Sequence, residues 1–260
     1  MTNDTSYIKL VLDHHKKHGR HDLPWRTRIT PYRILVSEIM LQQTQVSRVI
    51  PKFELWMKQF PTLASLRKAS LKDVLILWQG LGYQRRAKAL FHIAQSIRTL
   101  PRTYTELVAL PGIGPYTASA ICAFAYDTFP SHMLETNIRT ALIEAFHQGE
   151  TAIHDGVLYD DLARLSTSSL VKSYGARVWY YALMDYGAHL KTLHISHNTK
   201  SAHHTVQTPY RGSTRQLRAK TLFAITHSEP LPHDERIADV LNQLLKEGYI
   251  IKKGNTFRIS

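Results

Sequence analysis

The stretch Leu110-Pro111-Gly112-Ile113-Gly114-Pro115-Tyr116-Thr117 sets the tightest limit on how this chain folds, because it puts two glycines and two prolines between two helical patterns. Before it, Thr103 and Glu106 have capping-box spacing, which predicts a helix running through Leu107 to Leu110 and stopped by Pro111 and Gly112. After it, Pro115 suits a first helical position, and Ala118, Ile121, Cys122 and Ala125 fall on one face. The expectation is helix, tight turn, helix over 104–126. Gly112 and Gly114 permit positive φ and close backbone approach, so the N–H groups that open the second helix can point outward at a phosphate. A plain interhelical turn would use the same residues.

Charge narrows the partner. Lys and Arg outnumber Asp and Glu by 33 to 20, a formal net charge of +13, which calls for a polyanion. The sequence has neither an apolar run long enough to span a bilayer nor a charged, apolar and small-residue leader pattern, so nucleic acid is expected rather than a membrane. A cytoplasmic, nucleoid-associated monomer fits. The single cysteine, Cys122, lies on an apolar helical face and reads as core; alone it excludes an internal disulfide and any multi-cysteine metal site.

Taken in order, the chain reads as a succession of helices. Ile8, Val11 and Leu12 mark the first, which ends in a basic His14-His15-Lys16-Lys17 run and is broken by Leu23-Pro24-Trp25-Arg26. Thr30 caps the next, with Pro31 at its first position and Ile34, Leu35, Val36, Ile39, Met40 and Leu41 along it. Glu38 stands among these apolar residues. Either it snorkels to solvent, or it is held in a partly dry site where desolvation raises its pKa toward that of a general acid. Gln42-Gln43-Thr44-Gln45 closes the helix with amides that suit base edges or solvent equally. Pro61-Thr62 and the box Ser70-x-x-Asp73 start two more helices. Gly80-Leu81-Gly82-Tyr83 ends the second of them, and Gln84-Arg85-Arg86-Ala87-Lys88 opens another, setting an aromatic beside phosphate-seeking cations. Glu135 precedes a helix with the apolar stripe Ile138, Leu142, Ile143 and Phe146, where a carboxylate is also an ordinary cap. Further helices are predicted through Leu158 to Leu165 and from Ala176 to Leu190.

With these residues in view, positions 8 to 190 resemble the helix-hairpin-helix DNA glycosylase superfamily, most closely its MutY-type adenine DNA glycosylases. The resemblance rests on Leu-Pro-Trp-Arg at 23 to 26, Ser-Glu-x-Met-Leu-Gln-Gln-Thr-Gln at 37 to 45, and Leu-Trp-x-Gly-Leu-Gly-Tyr-x-x-Arg-Ala at 77 to 87. It rests also on Leu-Pro-Gly-x-Gly-x-Tyr-Thr at 110 to 117 and Met-Asp-x-Gly-Ala at 184 to 188. The Glu-x-x-x-Gln-Gln-Thr-Gln run favours the adenine branch over the endonuclease III branch.

The resemblance implies an enzyme that flips adenine out of double-stranded DNA, where it is mispaired with 8-oxoguanine or guanine, and hydrolyses its N-glycosidic bond through an oxocarbenium-like sugar. It implies Glu38 as the acid that protonates adenine N7, and Glu135, where the family has aspartate, as the anion facing the sugar cation. Tyr116 and Asn137 match pocket-lining residues, and Arg26 and Tyr181 fall near the bound base. Gln43, beside Gln42, would enter the duplex and Tyr83 would wedge beside the opposing base, with Arg86 and Thr117 in the DNA-binding set. Gly112 and Gly114 would grip a phosphate, and the hairpin carbonyls could hold a monovalent cation. Bifunctional relatives carry a lysine at the Tyr116 position, so a monofunctional enzyme is expected.

Three departures from the family pattern follow. Glu135 carries one methylene more than the family's aspartate. Lys191-Thr192-Leu193-His194 stands where the first of four cluster cysteines belongs, so no iron–sulphur cluster is expected. From Tyr186 to Ser228 there is no acidic residue; His194, His197, His203 and His204 are read there as DNA-contacting rather than metal-binding. Residues 209–260 stand where the family has a large C-terminal domain, and read as a small winged-helix-like module. It has a helix over Thr214–His227, a second with Ile237, Val240, Leu241, Leu244 and Leu245, and a hairpin from Tyr249–Lys252 to Thr256–Ile259 about Gly254-Asn255. Nine basic and five acidic residues leave DNA contact and packing on the core both open.

The expected fold is mostly α and two-lobed: 29–137 as a helical barrel, 1–28 plus 138–205 as a cluster-less lobe, and 206–260 as an α+β module. Two alternative functions are a thymine or uracil mismatch glycosylase and a catalytically silent mismatch-binding protein.

Overall fold

The computed structural model describes residues 3–202, 209–254 and 256–260, so His203, His204 and the turn residue Asn255 lie outside the described residues. Helices follow in the order α1 Asp4–His18, α2 Pro24–Thr27, α3 Pro31–Leu41, α4 Val46–Gln59, α5 Leu63–Arg67, α6 Leu71–Trp78 and α7 Arg85–Ser96. They continue with α8 Tyr104–Val108, α9 Pro115–Tyr126, α10 Thr136–Phe146, α11 Asp155–Ser166, α12 Ser169–Thr192, α13 Thr214–His227 and α14 Ile237–Lys246. The antiparallel pair β1 Ile250–Lys253 and β2 Thr256–Ile259 closes the chain, in a register that sets Ile250 opposite Ile259.

Local chemistry explains most helix starts. Thr62 and Ser70 build reciprocal capping boxes with Ser65 and Asp73, Thr30 accepts from Arg33 N at 3.2 Å, and Thr103 caps α8. Two boundaries differ from the sequence reading. Helix α8 stops at Val108, two residues short of Leu110, and Pro24 opens a one-turn helix where only a break was expected. Helix α12 starts before Ala176, at Ser169, and kinks at Gly175, where φ is +82°. There the Asp127 carboxylate fills the space of a side chain, its Oδ2 at 2.8 Å from where a Cβ would stand, and it accepts from Arg177 N at 2.8 Å.

Contacts divide the chain into two units, Met1–Glu38 with Leu100–Val206, and Ile39–Thr99 with Gln207–Ser260. These differ from the boundaries expected at 28/29, 137/138 and 205/206. The hairpin helix α9 packs on α12, as α1 and α10 do, so it joins the first unit. Helix α13 packs on α6, so the C-terminal module joins the second. Buried Trp179, Tyr180 and Leu183 make α12 the axis of the first unit. In the second unit Trp56, Trp78 and Phe53 are fully buried, with the two indoles edge-to-face at 5.7 Å. The module has the expected order of two helices and a hairpin. Val240 and Leu244 turn the buried face of α14 inward, and α13 and α14 pack against β2 and β1 respectively. Among the described residues no helix is long and apolar enough to cross a membrane.

Candidate active site

Glu38 lies inside the first unit, not at its surface. Residues Ile34 to Met40 of α3 are buried without interruption, and Glu38 is 5% exposed. Burial, together with the nearby charge of Glu135, pushes its pKa up to about 8, against a weaker pull from Arg26. At neutral pH this carboxyl holds its proton, as a general acid must. Of the two readings the sequence leaves open, snorkelling and a dry site, the second is what the fold provides.

Glu135 sits at the N-cap of α10 and is partly exposed. Its Oε1 accepts from Asn137 N at 2.8 Å and Ile138 N at 2.9 Å, and its Oε2 from Asn137 Nδ2 and Thr136 Oγ1, both at 3.1 Å. Two orphan helix N–H groups and two side chains thus hold one carboxylate at the positive end of the α10 dipole. Capping and site-forming are here one arrangement. Lys191, in the last turn of α12, completes it from behind: its Nζ donates to Asn137 Oδ1 at 2.7 Å and Thr136 Oγ1 at 3.1 Å.

Arg26, Tyr116 and Tyr181 stand around the two carboxyls. The Arg26 guanidinium lies 3.9 Å from the Tyr181 ring centroid, and on its far face Tyr181 stacks on Phe124 at 4.2 Å and 11°. Arg26 Nη1 also donates to Asp185 Oδ2 at 2.7 Å, and the same carboxylate receives His15 Nδ1 at 2.8 Å and Arg20 Nε at 2.6 Å. Burial works against ionisation of Asp185, but the hydrogen bond from His15 and the charges of Arg26 and Arg20 outweigh it and hold the acid well below the usual carboxylate range. Desolvation, followed by the charges of Glu38, Glu135 and Tyr181, raises the Tyr116 phenol well above its ordinary value. Tyr181 Oη and Arg26 Nε are buried without a hydrogen-bond partner among the described residues. Each orphan polar atom of this kind costs about 1–3 kcal/mol, and two in one cluster mark a place prepared for a polar ligand.

Arg26, Glu38, Tyr116, Glu135, Asn137 and Tyr181 therefore gather in the first unit, whereas the sequence reading divided them between the barrel at 29–137 and the lobe of 1–28 plus 138–205. Two partners were not foreseen in this role. Lys191 was noted only as standing where the family has its first cluster cysteine. Gly187 lets α12 pass close to the start of α10, since a Cβ there would lie 2.0 Å from Asn137 O. The Met-Asp-x-Gly-Ala motif was the available signal for Gly187, but a motif does not say which backbone its glycine touches.

Several residues take other roles than expected. Gly112 has φ +75°, whereas Gly114 is an ordinary N-cap at φ −86°, so only the first needs a glycine conformation. Thr117 is buried in α9 rather than offered to a ligand. His197 has an acid partner after all, with Nε2 at 2.5 Å from Glu144 Oε2, and Lys200 donates to Gln148 O at 2.5 Å. These basic groups fasten the segment after α12 onto the end of α10.

In the second unit, Gln42 and the exposed Gln43 follow α3, and Tyr83 follows Gly82. Gln43 and Tyr83 are non-glycine residues at positive φ, +54° and +46°, a strained geometry that surrounding structure must hold. Arg86 does this holding. It is 5% exposed, and its terminal nitrogens reach Met40 O at 2.9 Å, Leu81 O at 2.9 Å, Gly82 O at 3.2 Å, Thr44 Oγ1 at 3.0 Å and Gln42 O. Expected as a DNA contact, it instead pins the two turns that carry Gln43 and Tyr83, with its terminal nitrogens donating to backbone carbonyls and to Thr44 Oγ1.

Cys122 is the chain's one cysteine and is buried, and among the described residues no three His, Cys, Asp or Glu side chains are placed to hold a metal ion.

A sequence model of the HhH-GPD superfamily of base excision DNA repair proteins matches residues 36–209, which includes the hairpin and both carboxyls. The chain belongs to the HhH-GPD superfamily. Among HhH-GPD relatives, an adenine DNA glycosylase of Mycolicibacterium smegmatis is 36% identical over 232 residues, 81% of this chain and 78% of that protein. Adenine DNA glycosylases of two Buchnera aphidicola subspecies are 41% identical over 55% of this chain and 35% identical over 70% of it. The chain spans only 42% and 52% of those two proteins' lengths. The same fold is found in a thermostable thymine-DNA glycosylase, with a TM-score of 0.58 at 21% identity over 71% of this chain and 86% of that one. It recurs in endonuclease III bound to DNA, with a TM-score of 0.55 at 13% identity over 83% and 94%.

Proposed function

We propose that this HhH-GPD protein is a monofunctional DNA glycosylase that excises adenine mispaired with 8-oxoguanine or guanine in double-stranded DNA. The observation that carries the reading is the pair of carboxyls with opposed surroundings. Glu38 is buried and holds its proton up to about pH 8, while both oxygens of the Glu135 carboxylate are held by four hydrogen bonds. Adenine loss needs such a pair. Glu38 delivers a proton to the adenine ring, the C1′–N9 bond breaks with its electron pair moving to the base, and the Glu135 carboxylate faces the sugar cation until water adds at C1′. Tyr181 and Arg26 supply a flat cationic wall for the extruded base, and Tyr116 and Asn137 line the remainder.

The adenine glycosylase relatives support this substrate over thymine or uracil. In the same reading the exposed Gly112 and Gly114 grip a phosphate of the damaged strand, with a monovalent cation on the hairpin carbonyls, while Gln43 enters the duplex and Tyr83 wedges beside the opposing base. The enzyme works as a monomer on the nucleoid, without an iron–sulphur cluster.

Single-turnover assays on duplexes with adenine opposite 8-oxoguanine or guanine, thymine or uracil opposite guanine, and matched controls test the proposal, with alkali added to reveal abasic sites. Adenine release that disappears in Glu135→Gln is the expected result. Release of only thymine or uracil overturns the substrate, and binding without release overturns catalysis.

A further inference from the structure

The second unit contains a cleft of about 1520 Å3 that the carboxylate site does not use. One wall is the turn from Gly80 to Arg85 together with Arg48, and the other is Tyr210 and the exposed side of α13. Its surface has an unusual composition for a groove between helices. Tyr210 is 52% and Phe223 42% exposed, and Arg48, Arg85 and Lys220 reach solvent beside them. The Tyr83 hydroxyl accepts from Arg215 Nη1 at 2.5 Å, and the guanidinium carbons of Arg215 and Arg85 lie 5.5 Å and 5.8 Å from its ring centroid. Two acids line the cleft, Glu229 and Glu247, and Glu247 is already paired with Arg218, whose Nη1 donates to its Oε1 at 3.0 Å.

Exposed aromatic faces cost free energy in water, and clustered cations repel one another; each is explained by a ligand that presents flat π-systems on an anionic backbone. Bases inside a duplex already stack on one another, so free aromatic faces favour unpaired nucleotides. We propose that this cleft binds an unpaired stretch of DNA strand, with phosphates on Arg48, Arg85, Arg215 and Lys220 and a base stacked on Tyr210. The C-terminal module then has a role of its own, since Tyr210, Arg215 and Lys220 all belong to it. The proposal takes the polymer from the reading above but does not require excision.

Fluorescence anisotropy of the full chain with a labelled oligothymidylate, titrated at several salt concentrations, tests it without any catalytic readout. Binding is expected, with log affinity falling against log salt by about 0.7 per contacted phosphate. Lys220→Ala is expected to lower that slope by about 0.7, and Tyr210→Ala to weaken binding about tenfold with the slope kept. Both side chains are exposed, and circular dichroism checks that the variants fold. Absence of oligothymidylate binding, identical isotherms for the two variants and the parent chain, or tighter binding of the matching ribo-oligonucleotide would each overturn the proposal. Failure of adenine excision alone leaves it standing.

Discussion

Lys191 Nζ and Glu135 Oε2 are joined through one amide: the lysine donates to Asn137 Oδ1 at 2.7 Å, and Asn137 Nδ2 donates to the carboxylate at 3.1 Å. The lysine fixes which way the amide faces, because a protonated amine can meet only its oxygen end. With the amide so oriented, its N–H end can point only at Glu135. Lys191→Met removes this constraint while keeping the length of the side chain. A carboxylate displaced by about 1 Å costs up to roughly 100-fold in rate, so single-turnover adenine release is expected to fall by about 10- to 100-fold with KM little changed. Lys191→Arg should recover part of the loss, since it restores a donor. Equal rates in all three proteins would remove Lys191 from the site.

Glu38 carries two opposed consequences of burial. Its pKa of about 8 keeps it protonated at neutral pH, so the rate is expected to fall as pH rises through about 8. The same shift costs stability. A carboxyl whose folded pKa is raised contributes fully below its ordinary value of 4.5, and that contribution is lost as pH climbs toward 8. At pH 7 the loss is about 3 kcal/mol by the 1.36 kcal/mol per unit relation. Glu38→Gln is therefore expected to lower turnover by at least about 100-fold and to raise Tm relative to the parent chain, with the gain growing between pH 5 and pH 9. Thermal melts at those two pH values, run beside the kinetics, separate the effects.

Much of this was legible in the sequence, for reasons that are local. A capping box, a proline at a first helical position and an apolar stripe depend on neighbours within a few residues, which is why α5, α6, α9 and α10 begin where Thr62, Ser70, Pro115 and Glu135 predict. The two carboxyls stood out, one on an apolar helix and the other before a helix, but that patterning left snorkelling and capping open, and only the family resemblance paired them. What could not be read was long-range. Arg86 looks like a phosphate ligand until Met40, Gln42 and Leu81 are folded around it, and Lys191 looks like surface charge until α12 lies against α10. A cation in a sequence declares its charge, not its acceptor.

Asp185 is 3% exposed and is hydrogen-bonded to His15 and to two guanidiniums, Arg20 and Arg26, the last of which faces Tyr181. Its lowered pKa sets the sign of the pH effect: the stabilisation is present above the ordinary aspartate value of 3.8 and is lost as pH falls below it toward the depressed folded value. Asp185→Asn leaves those cations without their anion, a change that costs about 3–5 kcal/mol at buried pairs. Urea unfolding at pH 7 should show a loss of that size, shrinking at pH 3 where the parent chain begins to lose the same contribution. A loss at pH 7 that does not shrink on acidification would show that the ion pairs do not carry it.

Gly187 offers a test of the site that touches no reacting group. A methyl group on its Cα would stand 2.0 Å from Asn137 O, far inside van der Waals contact, and the obstacle is backbone at the first turn of α10 rather than a side chain that can swing away. Relief must come from moving α10 and α12 apart, by an ångström or so at the point where Glu135, Thr136 and Asn137 are assembled. Gly187→Ala is therefore expected to lose adenine release by about 100-fold or more while costing about 1–3 kcal/mol of stability, the range for overpacking a tight contact. Because Lys191 spans the same two helices, the double variant Gly187→Ala/Lys191→Met should lose less than the two separate losses multiplied together, since both act on the one contact. Fully multiplicative losses would mean that the glycine and the lysine hold Glu135 by independent routes.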